Sequence, residues 1–185
     1  MRVIEVRRHT HRDEQENLTE EGKRIVGIAK KTLDQGQAVA YSSPAKRAVL
    51  TLHEFGFTDY KIEPALAFPT REEAAPYREI LRQLGPNTEA MFSHPDISRL
   101  LMNAGSRVLE ALVKFADSIP VGGRIFAVSH GGTMEATALT VLGKGPDLNM
   151  IGGRFHVCEG FRAHLANGTV ARLDVIRLPQ TTQLG

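Results

Sequence analysis

The stretch RIFAVSHGG, residues 124–132, decides how this chain folds. Its apolar run IFAV is typical of a short buried strand, and polar residues follow that run directly. Gly131 and Gly132 then open a segment with helical spacing that continues to about Leu142. A buried strand that passes through a glycine turn into a helix is the repeating unit of an α/β fold.

Comparable strand-then-helix units fill most of the remaining sequence. We expect strands at residues 3–8, 38–41, 61–63 and 124–128, and helices at 18–33, 43–55, 97–118 and 131–142. Ser43 is the expected N-cap of the second of these helices, with Pro44 at its first position. Gly56 is expected to end that helix.

The end of the chain carries a different pattern. Two strand-like runs, residues 155–165 and 169–178, flank the dipeptide Asn167-Gly168. Asn-Gly between strand-like runs predicts an antiparallel hairpin. The fold class is therefore α/β: a three-layer sandwich with a mostly parallel central sheet flanked by helices, and an antiparallel C-terminal hairpin. We expect a single domain, residues 1–185. Within it, residues 64–95, rich in Pro, Glu and Arg, are expected to form an insertion or lid near the edge of the sheet that binds the ligand.

Composition excludes several classes of protein. The chain has 185 residues, of which 42% are hydrophobic and 24% charged, and its net charge is +2. A nearly neutral balance argues against nucleic acid or a membrane as partner. Cys158, the single cysteine, excludes an internal disulfide and a multi-cysteine zinc site. We therefore expect a soluble cytoplasmic protein.

Ionisable side chains follow three of the predicted strands. Arg8 and His9 follow the first strand, Arg47 lies one helical turn after the second, and His130 follows the fourth. The carboxyl ends of parallel strands meet at one edge of a sheet, where α/β proteins bind ligands. Arginine offers phosphate a bidentate fork, and a neutral imidazole is a competent nucleophile. This edge is predicted to bind and transfer a phosphoryl group.

The same motifs make the chain resemble the histidine phosphatase superfamily, with its phosphoglycerate-mutase-like fold. Residues 8–10, RHT, are similar to the family's Arg-His-Gly signature, and residues 18–22, LTEEG, to its Leu-Thr-x-x-Gly helix start. Residues 42–51, SSPAKRAVLT, are similar to its Ser-Ser-Pro-x-x-Arg-Ala-x-x-Thr run. Residues 128–132, VSHGG, are similar to its second-histidine motif.

The resemblance implies a role for each matching residue. His9 would attack phosphorus and become phosphohistidine, while Arg8, Arg47 and His130 would hold the phosphoryl oxygens. Thr10, which stands where the family has glycine, is expected to border the substrate-binding pocket. No metal and no cofactor are implied. His9 and His11 could be read as two metal ligands, but no matching carboxylate and histidine set follows them.

The proton donor does not match the family pattern. The usual acid lies two residues after a leucine in the middle segment, and here Leu66 is followed at that place by Phe68. Glu135, in the first turn after His130, is the preferred catalytic candidate; Glu73 and Glu72 are the alternatives. Compensation of the helix dipole explains Glu135 equally well.

Only eight residues separate His9 from Leu18, whereas the glycolytic mutases that the chain resembles carry a larger loop there. This difference favours hydrolysis of a phosphomonoester over transfer between two positions of one substrate. The short connection resembles the small phosphatase branch of the family, so the partner is a small phosphorylated substrate or a phosphoprotein. A phosphoglycerate-mutase-type transfer and a non-catalytic phosphate-binding module are the alternatives. The sequence indicates no oligomeric state.

Overall fold

A computed structural model of the chain describes residues 1–33 and 38–179. Its centre is a six-stranded sheet with the strand order β3-β2-β4-β1-β5-β6. The strands are β1 (Arg2–Arg8), β2 (Val39–Ser42), β3 (Tyr60–Ile62), β4 (Arg124–Ser129), β5 (Gly160–Ala166) and β6 (Thr169–Ile176). The first four pair in parallel, and β5 and β6 are antiparallel. The predicted α/β sheet with an antiparallel hairpin is confirmed.

The parallel strands end level with one another. Arg8 of β1 pairs with Ser129 of β4, and Ser42 of β2 pairs with Val128 of β4. The chain segments that leave these strands therefore begin side by side at one edge of the sheet. This register places the residues that follow β1, β2 and β4 within reach of one another.

Helices cover both faces of the sheet. They are α1 (Glu20–Lys30), α2 (Lys46–Glu54), α3 (Arg71–Ala74), α4 (Arg78–Leu84), α5 (Thr88–Ser93), α6 (Pro95–Asp117) and α7 (Thr133–Val141). Single turns of 3-10 helix lie at Pro64–Leu66, Ala75–Tyr77 and Leu148–Ile151. No helix in the described ranges has both the length and the apolar character that a membrane span requires.

Alternation along the strands sorts the core into two clusters. In β4, Ile125 and Ala127 pack with α6 and α7, whereas Phe126 and Val128 pack with α1 and α2 on the opposite face. Successive side chains of a strand point to opposite faces, so each strand contributes to both clusters. The result is the predicted three-layer arrangement of helices, sheet and helices.

One helix start differs from the prediction. The helix α2 begins at Lys46, with Ala45 at the N-cap and no side-chain cap. The Ser43 hydroxyl lies 2.7 Å from Nε2 of His130 and accepts a longer hydrogen bond, of 3.4 Å, from the amide of Ala45, just before the helix begins. The predicted end is confirmed, because Gly56 has a φ of +99°, which suits glycine at the end of a helix.

A polar cluster lies within the layer between the sheet and α1. Glu5 accepts hydrogen bonds from Arg7 at 2.7 Å and from Arg162 at 2.8 Å, and Arg7 also donates to Thr32 just after α1. Glu5 and Arg7 are almost fully buried. Buried charges are stable only when paired and hydrogen-bonded, and this cluster meets both conditions. It explains why β1 departs from an entirely apolar pattern.

Candidate active site

The ends of three strands are joined by backbone hydrogen bonds. The His9 amide donates to Ser129 O at 3.0 Å, and the Ser43 amide donates to Val128 O at 3.0 Å. These bonds extend the sheet by one residue past β1 and β2. They fix the positions from which the side chains of His9, Ser43 and His130 project.

The ring of His9 has one orientation and one tautomer. Nδ1 lies 2.9 Å from the carbonyl oxygen of Thr10, which can only accept, so Nδ1 carries the proton. Arg47 Nε donates to Nε2 at 3.1 Å, so Nε2 presents its lone pair. Burial, helped by the charges of Arg47 and Arg8, lowers the pKa of His9 to about 3, against the hydrogen bond to Thr10. The imidazole is therefore neutral near pH 7.

His130 is held in the same way by two partners. Arg47 Nη2 lies 3.3 Å from its Nδ1, and Nε2 lies 2.7 Å from Ser43 Oγ. Burial, the neighbouring His9 and the charge of Arg47 lower the pKa of His130 to about 2. The two rings meet edge to face, with centroids 5.2 Å apart.

Arg47 connects the two imidazoles. Its Nε and Nη2 atoms form one edge of the guanidinium, and that edge contacts Nε2 of His9 and Nδ1 of His130. The third nitrogen, Nη1, donates to Glu16 at 2.6 Å. Because Arg47 lies in the first turn of α2, its side chain reaches back toward the strand ends, as predicted.

Arg8 lies on the other side of His9 and packs against the glycine turn. A Cβ at Gly131 would lie 2.7 Å from Arg8 Cζ, so only glycine permits this approach. Arg8 Nη1 donates to Phe155 O at 2.6 Å, whereas its buried Nε has no hydrogen-bond partner within the described residues. Burial lowers the pKa of Arg8, but an arginine keeps its charge near pH 7.

These side chains line a cavity of about 150 Å³. One wall consists of Arg8, His9, Arg47, His130 and Gly131, and the facing wall of Phe68, Pro86, Thr88 and Met91. A second cavity of about 430 Å³ shares Arg8 and His9 and extends along residues 10–14 to Val157. Two imidazoles and two guanidiniums thus surround a space that suits a tetrahedral oxyanion.

A family model described as "Histidine phosphatase superfamily (branch 1)" matches residues 5–156. The chain belongs to this superfamily. The match covers both histidine motifs and confirms the resemblance seen in the sequence. Superfamily membership supports a phosphatase or phosphoryl-transfer activity.

Solved structures of several phosphatases share the fold of this chain. A phosphoserine phosphatase from Entamoeba histolytica, in complex with 3-phosphoglyceric acid, has a TM-score of 0.71 at 14% identity, covering 98% of this chain and 100% of that chain. A mycobacterial glucosyl-3-phosphoglycerate phosphatase with VO3 has a TM-score of 0.69 at 17% identity, covering 95% and 98%. The α-ribazole phosphatase of Shigella flexneri has a TM-score of 0.62 at 14% identity, covering 99% and 98%. No curated protein matches the chain by sequence.

The carboxylate of Glu135 binds the backbone of the turn that follows His130. Its two oxygens accept hydrogen bonds from the Gly132 amide at 2.6 Å and the Phe155 amide at 2.7 Å. Complete burial raises the pKa of this carboxyl, against these hydrogen bonds and the charge of Arg8. Glu135 does not line the 150 Å³ cavity. The structure therefore places it beside the site as a clasp between two loops.

The other two acid candidates also lie outside the 150 Å³ cavity. Glu73 caps α3 through Thr70 and pairs with Arg107. Those contacts lower the pKa of Glu73, although partial burial opposes them. Glu72 is exposed on the same helix.

Thr10 does not line the 150 Å³ cavity, although it borders the adjoining cavity of about 430 Å³. Its hydroxyl donates to Gly22 O at 3.1 Å, and its amide donates to Thr51 Oγ1 at 3.1 Å. Only its carbonyl oxygen faces the reactive group, through the contact with Nδ1 of His9. The structure thus brings together His9, His130, Arg8 and Arg47, with Thr10 beside His9 in the second cavity, and places Glu135 outside both cavities.

Sequence reasoning missed two residues of the site. Ser43 lies in the motif of residues 42–51, but its pattern predicts a helix cap and gives no sign of the contact with His130. Glu16, the partner of Arg47, lies in a polar loop that carries no motif. Within the part of the chain that the structure describes, no group of three or more His, Cys, Asp and Glu side chains is arranged to hold a metal ion.

Proposed function

We propose that this chain is a metal-independent phosphatase that hydrolyses phosphomonoesters through a phosphohistidine at His9. One observation carries the proposal: a single edge of Arg47 contacts both Nε2 of His9 and Nδ1 of His130. This edge aligns a cation with the nucleophile and with the second imidazole. A phosphoryl group that enters the cavity meets hydrogen-bond donors on the same side as the attacking lone pair.

The reaction would proceed in two displacements. The phosphoryl oxygens of the incoming substrate take over the hydrogen bonds that Arg47 Nε and Nη2 make to the two histidines, which frees the Nε2 lone pair of His9. This lone pair attacks phosphorus, the P–N bond forms, the P–O bond to the leaving group breaks, and the leaving oxygen takes a proton from water. The guanidiniums of Arg8 and Arg47 stabilise the negative charge on the equatorial oxygens, and the neutral ring of His130 borders them. Water then attacks phosphorus, the P–N bond breaks, and phosphate leaves with His9 again neutral. Thr10 orients His9 through its carbonyl oxygen in both steps.

The proton on the leaving group is not routed through Glu135. Both of its oxygens are occupied by backbone amides, and its side chain does not reach the cavity wall. We propose instead that Glu135 supports the turn that carries His130 and Gly131. Comparison of Glu135→Gln with Glu73→Gln on alkyl and nitrophenyl phosphates tests this assignment, because a true donor matters more for the poorer leaving group.

We further propose that residues 64–95 form the part of the site that selects the substrate. Phe68, Pro86, Thr88 and Met91, which face the histidines across the cavity, all come from this segment. The substrate is a small phosphorylated molecule or a phosphoprotein. The cavity of about 150 Å³ is smaller than the roughly 300–1,000 Å³ of most ligand pockets, so it suits the phosphoryl group and little more.

The deciding experiment measures p-nitrophenyl phosphate hydrolysis with excess chelator, using the native protein, His9→Ala and His53→Ala. His53 is an exposed histidine that packs on Tyr60, so its replacement is a matched control. Turnover that survives chelation, disappears in His9→Ala and persists in His53→Ala supports the proposal. An acid-labile phosphoprotein trapped by rapid quenching identifies the intermediate. Turnover that persists in His9→Ala refutes the assigned nucleophile.

A non-catalytic phosphate-binding module is the second candidate. It is favoured by the capping contacts of Glu135 and Glu73, which direct both carboxylates away from the cavity. Calorimetry would then show phosphate binding that depends on Arg47, without turnover of any monoester. A phosphoglycerate-mutase-type transfer would instead move the phosphoryl group between positions of one substrate faster than phosphate is released.

A further inference from the structure

Arg47 is held on all three of its nitrogens before any substrate binds. Nε contacts His9, Nη2 contacts His130, and Nη1 contacts Glu16 at 2.6 Å. Nε and Nη2 share the edge that faces the histidines, whereas Nη1 lies at the opposite end of the guanidinium. The carboxylate of Glu16 therefore grips Arg47 from the side away from the reacting atoms.

The loop that carries Glu16 has an unusual backbone. Glu16 has a φ of +64°, a left-handed conformation that is strained for a residue with a side chain. Asp13 closes the turn by accepting from the Glu16 amide at 3.1 Å and from the Asn17 amide at 2.8 Å. Strain of this kind persists only where the surrounding contacts require it, and here those contacts aim the Glu16 carboxylate at Arg47.

The same loop is fastened to the first turn of α2. Lys46 donates to Gln15 O at 3.1 Å and to Asn17 Oδ1 at 2.7 Å, and Arg47, the next residue, bonds to Glu16. Two consecutive residues of one helix thus hold a single loop. The side chains of Glu16 and Arg47 are 34% and 22% exposed, so the pair is partly shielded from solvent.

We propose that Glu16 is a positioning residue for phosphoryl transfer. By holding Nη1, it fixes the rotamer of Arg47 so that the edge formed by Nε and Nη2 already faces the nucleophile when the substrate arrives. A guanidinium on a long side chain otherwise loses rotamer entropy on binding, and preorganised donors avoid that cost. This inference rests on the proposed function, since it assigns Arg47 to the transition state.

The experiment compares Glu16→Ala and Glu16→Gln with the control Glu21→Gln. Glu21 bonds to Arg24 at the same 2.6 Å and is 37% exposed, but its pair lies on the surface of α1. We measure kcat and KM for p-nitrophenyl phosphate, inhibition by orthovanadate and by phosphate, and the melting temperature. Vanadate resembles the five-coordinate transition state, whereas phosphate resembles the ground state.

We expect Glu16→Ala to lower kcat and vanadate affinity about tenfold while phosphate affinity changes much less, because positioning acts mainly in the transition state. Glu16→Gln, which keeps an acceptor oxygen for Nη1, should retain more activity than Glu16→Ala. Glu21→Gln should match the native enzyme. If Glu16→Ala does not fold, the Glu16→Gln measurements still decide the matter.

Two results would overturn the inference. Unchanged kinetics in Glu16→Ala would make the contact an ordinary surface ion pair. Tighter binding of both vanadate and phosphate would mean that Glu16 competes with substrate for Arg47. If turnover is lost in Arg47→Ala but unaffected in Glu16→Ala, only the role of Glu16 is rejected. If the native protein is inactive, the proposed function itself is rejected.

Discussion

Replacement of Arg47 by alanine gives the sharpest test of the site. The substitution removes the edge that contacts Nε2 of His9 and Nδ1 of His130. Loss of one preorganised donor to a developing oxyanion typically lowers kcat by about 10²–10³-fold, or about 2.7–4 kcal/mol. Since Arg47 offers two donors on the same edge, we expect a loss in the upper part of that range.

The same substitution should change the pH dependence. Burial lowers the pKa of both histidines, and the charge of Arg47 adds to that effect. Without this charge both pKa values rise, so more His9 is protonated in acid and has no lone pair for attack. The activity of Arg47→Ala relative to the native enzyme should therefore fall further as the pH is lowered from about 7 to about 4.

The assay is kcat and kcat/KM for p-nitrophenyl phosphate across this pH range, with Arg24→Ala as the control. Arg24 forms a surface ion pair with Glu21 and should be neutral for activity. Activity of Arg47→Ala within about twofold of the native value would remove Arg47 from the transition state. A relative activity that rises in acid would refute the electrostatic part of the reasoning.

Three further outcomes follow from the geometry. Gly131→Ala should lower kcat at least about tenfold, because the new Cβ meets Arg8 Cζ at 2.7 Å. Gly27→Ala is the control, since a Cβ at that position has no heavy atom within 4 Å. Equal kcat values for the two variants would contradict the prediction. Glu135→Gln should cost about 1–3 kcal/mol in urea unfolding, since an amide offers one acceptor oxygen to the two amides of Gly132 and Phe155, and unchanged stability would argue against the clasp. Unfolding should also become easier in acid, because the pKa values of His9 and His130 are lowered to about 3 and about 2 in the folded protein. Both side chains stay neutral in the folded state while the unfolded chain takes up protons near pH 6.5. Their contribution to the free energy of unfolding is therefore complete above about pH 6.5 and is lost as the pH falls toward the folded-state values. His130→Gln should weaken this acid dependence in thermal melts, and an unaltered dependence would count against it.

Hydrophobic periodicity predicted most of the fold because the strands and long helices have regular buried faces. The hairpin was equally predictable, since Asn167 and Gly168 adopt the left-handed conformations, with φ of +53° and +76°, that its turn requires. Convergence of His9, Arg47 and His130 followed from the rule that parallel strands end at one edge. These predictions depend on local sequence or on sheet geometry alone.

The parts of the fold and of the site that were not predicted depend on contacts that local sequence does not encode. Ser43 stands where the sequence predicts a helix cap, yet its hydroxyl lies 2.7 Å from Nε2 of His130. The second amide that binds Glu135 belongs to Phe155, twenty residues further along the chain. The middle segment forms helices of only four to seven residues, too short for a clear periodicity.

The buried cluster of Glu5, Arg7 and Arg162 has an evolutionary consequence. Removing Glu5 leaves the buried guanidinium of Arg7 without its ion-pair partner, whereas exchanging the whole set for well-packed apolar side chains can be tolerated. Natural variants should accordingly either keep the trio intact or have lost it altogether. Positions 5, 7 and 162 are expected to covary among descendants of a common ancestor, even though two of them lie at the opposite end of the chain from the third.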